Sequence, residues 1–287
     1  MSNSSFSPSN DKTSETNPGI PLKDIWQICS KGPDPLPKKA DAIIVPMELF
    51  GIYPMSKIID QLASKFPDTP IIVAGDKNIR LGSFRAMVEN YLVSRQFFHD
   101  TGLPPAYIKG KTEGEIVKSI FSERSWAFYN VREKFKIPSV YDSDRIHAVG
   151  GTNYYGNMIE INQELDRCHI AKDSLILIAP IHAHRSLMTA RKVFPDSQIT
   201  FAPYTWKTGN LVFNEETVLG STKNMTWGDW LMLGRGKGIL YGEVKRILKY
   251  SQEGYLTMPD EVIAIYNKYL QTPLISQSKE NPNTKKR

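Results

Sequence analysis

Short apolar runs that alternate with helical periodicity limit, more than any other feature, what this chain can fold into. Asp41-Ala-Ile-Ile-Val-Pro46 is apolar after its first residue, and Met55, Ile58, Ile59, Leu62 and Phe66 then recur on one face of a 3.6-residue period. Pro70-Ile-Ile-Val-Ala-Gly75 repeats the run, and Phe84, Met87, Val88, Tyr91 and Leu92 repeat the periodicity. Further strands are expected near Tyr107 and Ile108 and over residues 145–149, 174–179 and 198–201, with helices over 115–135, 157–169 and 187–194. Strands without polar alternation are buried on both faces, so the expected fold is α/β and Rossmann-like: a mostly parallel sheet with helices on both faces. Residues 231–271 read as a C-terminal helical segment packed on it.

The chain has 287 residues, of which 40% are hydrophobic and 23% charged, enough apolar sequence for a core and too much for wholesale disorder. Residues 22–275 are expected to form a single α/β domain that includes an insertion at about 111–142. Residues 1–21, rich in Ser, Asn and Pro, and the basic stretch 276–287 read as disordered tails. The net charge is +6, but residues 279–287 alone hold four cations and one anion, so the body is nearly neutral. No specific nucleic-acid partner is therefore expected. Two distant cysteines, Cys29 and Cys168, support neither a disulfide framework nor a thiolate zinc site. No apolar run approaches the roughly 20 residues of a transmembrane segment, and a cytoplasmic location is expected. The aromatic stretches 126–129 and 227–230 read as core.

In a parallel α/β sheet, ligands bind beyond the carboxyl ends of the strands, so the residues there are the candidate site. They are Glu48 after the first strand; Gly75, Asp76, Lys77 and Asn78 at the second; Gly151, Thr152, Asn153 and Asn157 at the middle one; and His182, His184 and Arg185 after the later one. Gly150-Gly-Thr-Asn-Tyr-Tyr-Gly-Asn157 is either an anion cradle at a helix start or an ordinary capped turn. His182 is the candidate acid/base group. Arg185 is the candidate charge clamp at the pocket rim, whose truncation is expected to reduce affinity while leaving stability nearly intact. No metal is expected, because His99, His147 and His169 are scattered and offer no third ligand beside His182 and His184.

These segments resemble the YdcF-like family, which includes the SanA and ElyC envelope proteins. The resemblance is carried by Ala40-Asp-Ala-Ile-Ile-Val45, by residues 70–75 and above all by residues 173–195, with the strand-His-x-x-Arg-helix unit at His182 to Arg185. Gly242-Glu-Val-Lys-Arg-Ile-Leu-Lys-Tyr250 with Gly254 is similar to the ending of its soluble members. The resemblance implies a Rossmann-like sheet and a nucleotide-like ligand, with S-adenosylmethionine the leading cofactor.

This chain differs where relatives carry Gly-Gly (here Pro46-Met47-Glu48), Ser-Gly-Gly (here Ala74-Gly75-Asp76) and Glu-Ala (here Arg85-Ala86). Of the relatives' Asn-Thr-x-Glu-Asn loop, Asn153 and Asn157 remain. Three functions follow as expectations: binding of a small anionic, nucleotide-like molecule, with any catalysis being hydrolysis or group transfer on a phosphate-bearing substrate; methyl transfer from S-adenosylmethionine; and non-catalytic scaffolding.

Overall fold

The computed structural model describes residue 20 and residues 22–29, 31–46, 52–76, 107, 111–135, 143–151, 153–180, 184–204 and 236–269. Its elements in chain order are α1 (Leu22–Cys29), β1 (Ala42–Pro46), α2 (Ile52–Lys65), β2 (Ile71–Asp76), α3 (Glu113–Ser122), α4 (Trp126–Phe135), β3 (Ile146–Gly151), α5 (Tyr154–Arg167), β4 (Ser174–Pro180), α6 (His184–Val193), β5 (Gln198–Tyr204), α7 (Gly236–Gln252) and α8 (Asp260–Asn267).

The five strands pair in the order β3-β2-β1-β4-β5, all parallel. Register follows the pleat, with Ile43 opposite Ile71 and Ile176, and Ile44 opposite Ile72 and Leu177. One face of the sheet, with Ile43, Val45, Val73 and Ile178, packs on Ile58 and Leu62 of α2, Ile116 and Ile120 of α3 and Phe128 of α4. The other face, with Ile44, Ile72, Leu175 and Leu177, packs on Met158, Ile161 and Leu165 of α5 and Leu187 and Ala190 of α6. Two covered faces explain why the strands read as continuous apolar runs. The α/β Rossmann-like expectation is met, and Ile43, Ile44, Val45, Ile72, Val73, Leu175, Leu177 and Ile178 are all fully buried.

A third layer lies outside α6. Ile25, Ile28 and Cys29 of α1 meet Val244 and Ile247 of α7, Val262 and Tyr266 of α8, and Met188 of α6. The C-terminal helices thus join the fold through α6 and α1. Ile20, within the stretch read from the sequence as a tail, is buried in this cluster.

Several local expectations change. Residues 115–135 form two helices, because the backbone turns extended at Glu123. Arg132 then folds back to donate from Nη1 to the Ile120 and Glu123 carbonyls at 2.8 and 2.7 Å, satisfying the end of α3. Thr112 and Glu115 close a capping box at the start of that helix. In α4, Phe128 and Val131 take the buried side, which leaves Trp126 and Tyr129 exposed at 69% and 51% rather than in the core. Tyr107 is in a 3-10 conformation rather than a strand. The helix expected around residues 84–92, the partner strand residue Ile108 and the aromatics at 227–230 lie outside the described residues, as do residues 1–19 and 270–287. Among the described residues, no helix is long and apolar enough to cross a membrane.

Candidate functional site

Strand order reverses between β1 and β4: the chain proceeds outward from β1 through β2 to β3, then returns to place β4 on the other side of β1. Beyond the carboxyl ends of these two strands, at Pro46 and Pro180, lies the topological switch point of the sheet. The starts of α5 and α6 flank it, each following its strand within four residues.

The β3–α5 junction is built by Gly151, Asn153 and Asn157. Asn153 caps α5, its Oδ1 accepting the Gly156 N–H at 2.8 Å. Asn157, buried one turn on, accepts the Gly151 N–H through Oδ1 at 2.9 Å. A Cβ on Gly151 would stand 2.3 Å from the Asn157 nitrogen and 2.4 Å from the Gly156 carbonyl carbon, both backbone atoms with nowhere to go. Gly151 therefore serves the approach of the helix to the strand. We expect Gly151→Ala to lower the unfolding free energy in urea by about 1–3 kcal/mol; an unchanged midpoint would show that the junction tolerates a Cβ.

Gly75 has a comparable role. A Cβ there would meet the Glu113 Cβ at 2.5 Å and the Gly114 nitrogen at 2.7 Å, while one on Gly114 would stand 2.9 Å from the Val73 carbonyl oxygen. Two facing glycines let the first turn of α3 lie directly on β2. Asp76 closes β2 opposite Gly151 of β3. Glu48, Lys77, Asn78, Thr152 and His182 lie outside the described residues.

Arg185 is near the β3–α5 junction, as the sequence suggests, but buried. Its Nε donates to Glu243 Oε1 of α7 at 2.5 Å, and the two side chains are 6% and 5% exposed. The guanidinium carbon lies 4.7 Å from the Tyr154 ring centre and 5.2 Å from that of Tyr250, so two aromatic faces cover the cation. Tyr255 meets Tyr250 edge-on and stacks on Tyr155 at 4.8 Å, and the Tyr154 hydroxyl points to the Pro46 carbonyl at 3.4 Å. A tyrosine-walled ion pair thus ties α5, α6 and α7 together beside the end of β1. The expectation that truncating Arg185 leaves stability nearly unchanged is corrected: a buried charge pair cannot lose one partner cheaply.

His184 is likewise buried, at 3% exposure, and faces the third layer. Its Nδ1 donates to the Ile28 carbonyl of α1 at 3.1 Å, while Nε2 is enclosed and has no hydrogen-bond partner among the described residues. Burial pushes its pKa down to about 4, with Lys31 and Arg191 adding to the effect and the Ile28 carbonyl opposing it. A neutral imidazole held against α1 spaces helices.

Sequence reasoning missed Glu243 and the tyrosines. Their only signal is a lone acid in an otherwise basic and apolar stretch, Gly242-Glu-Val-Lys-Arg246, which does not point to its distant partner. It also missed a cluster at the other end of the sheet, where His147 of β3 meets Glu164 of α5 and Cys168 at that helix's C-cap. No family model, curated protein or solved structure matches this chain.

Proposed function

We propose that this chain is a YdcF-like protein that binds a small anionic, nucleotide-like molecule, with S-adenosylmethionine the leading ligand, beyond the carboxyl ends of β1 and β4. The observation that carries the reading is the strand order, which places a switch point there. The start of α5 adds a positive helix end beside it, suited to a carboxylate or phosphate. Asp76, Asn153 and the segments containing Glu48, Lys77, Asn78, Thr152 and His182 would line the ligand. Adenosine ligands raise the melting temperature if they bind the folded chain alone, by an amount that grows with ligand concentration. A thermal-shift series with S-adenosylmethionine, its demethylated product, ATP and ADP is expected to give a saturable rise for at least one. No shift with any of them at millimolar concentration would overturn the reading.

One observation favours a second reading, a non-catalytic binding or scaffolding protein. The cation placed to clamp an anion, Arg185, is bound to Glu243 and covered by two rings. Methyl transfer or phosphoester chemistry would have to draw its acid/base group from His182. Ligand binding without turnover, unaffected by His182→Ala, would select the scaffold.

A further inference from the structure

We propose that His147, Glu164 and Cys168 form a binding site for a zinc-class divalent ion at the amino-terminal end of the sheet, the end opposite the proposed ligand site. His147 is the second residue of β3, paired with Ile72, the second residue of β2. Glu164 and Cys168 are four residues apart, so the end of α5 carries both on the face that meets β3. The helix ends here, with Cys168 at the C-cap and His169 beyond it at a φ of 54°.

The three donor atoms lie within 4.8 Å of one another. Cys168 Sγ is 3.6 Å from His147 Nδ1 and 3.5 Å from Glu164 Oε1. Tetrahedral zinc with ordinary Zn–S, Zn–N and Zn–O bonds spaces sulfur from nitrogen or oxygen by about 3.5 Å, so both sulfur edges already match. The third edge, His147 Nδ1 to Glu164 Oε1, is a 2.8 Å hydrogen bond and must open by roughly half an ångström. An imidazole, a carboxylate and a thiolate together are the borderline donor set that zinc takes. Hydrogen bonding between His147, Glu164 and Arg167 needs no thiol at the third corner.

The surroundings fit an ion. Arg167 Nε holds Glu164 Oε2 at 2.8 Å, an outer contact that orients the carboxylate and leaves Oε1 directed at the other donors. Arg167 also reaches Oε1 through Nη2, a contact that this 69%-exposed side chain gives up as the ion enters. Both His147 and Glu164 are partly exposed, so water can reach the fourth position. Without metal, the Cys168 thiol donates to Glu164 Oε1, and the His147 Nδ1–H faces the same oxygen. Binding shifts the imidazole proton to Nε2 and releases the thiol proton to solvent, one proton per ion, with no change of oxidation state.

Cobalt(II) is the probe, because a thiolate bound to it gives a near-ultraviolet charge-transfer band. The chain has only two cysteines, and burial pushes the Cys29 thiol upward in pKa, so the assignment is simple. Full-length, tag-free, reduced protein titrated with cobalt should develop that band to one equivalent, and zinc should displace it. Cys29→Ser should retain the band, Cys168→Ser should lose it, and His147→Gln should weaken the apparent affinity at least about tenfold. Absence of the band in the unmodified chain, or its persistence in Cys168→Ser, would overturn the site. The result is independent of whether any nucleotide binds at the far edge.

Discussion

Glu243→Ala is expected to destabilise the protein by about 3–5 kcal/mol, because it leaves the Arg185 guanidinium buried among tyrosines without its carboxylate. Arg185→Ala is expected to cost somewhat less, since Arg246 Nη1 still donates to Glu243 Oε2 at 3.1 Å from a half-exposed position. The pair as a whole is a different matter. Removing both charges with groups of similar volume, as in Arg185→Met with Glu243→Leu, should recover most of the loss, since desolvating two ions offsets much of their attraction. Urea unfolding of Glu243→Ala, Arg185→Ala and the Arg185→Met, Glu243→Leu double variant tests both expectations. A cost below about 1 kcal/mol for Glu243→Ala would mean that water reaches the pair, as at surface ion pairs.

Acid should weaken the protein before its carboxylates titrate, and His184 is the reason. Its folded-state pKa is depressed to about 4 from an ordinary 6.5. Between those values the unfolded chain binds a proton that the native chain refuses, so stability rises with pH across this window and is fully present above it. The loss from pH 6.5 to 4 is about 3 kcal/mol for this one group. Glu164 acts lower: its hydrogen bonds, first with Arg167 and then with His147 and Cys168, hold its pKa near 2, so its contribution is lost between the ordinary carboxylate range and that value. His184→Leu should flatten the profile between pH 6.5 and 4 and leave the lower part in place. A variant with the slope unchanged would place the acid sensitivity elsewhere.

The sheet was legible because its signal is local and redundant. The central strands β1, β2 and β4 are apolar runs, and Ile43, Ile72 and Leu175 are buried by helices whose own period is readable two turns at a time. Strand ends then located Gly151, Asn153, Asn157 and Arg185 near one another. Their roles were not legible. Gly151 looks the same in sequence whether a phosphate or a helix backbone approaches it, and only the 2.3 Å gap to Asn157 distinguishes the two. Arg185 meets a carboxylate 58 residues later, a pairing that no short motif encodes. Helix α1 escaped notice because eight residues show barely two turns of period. The His147 cluster escaped because its donors follow no zinc spacing; they are joined by the packing of β3 on α5.

Amide hydrogen exchange of the full chain, with and without saturating S-adenosylmethionine, tests the central claim most directly. If a nucleotide-like ligand sits beyond β1 and β4, protection should rise in the first turns of α5 and α6, residues 153–158 and 184–187, and in the segments that follow β1 and β2. The amino-terminal end of the sheet, around residues 146–148 and 164–169, should exchange as before. Protection confined to that end, or none anywhere at a concentration that saturates the thermal shift, would contradict a ligand site at the carboxyl edge.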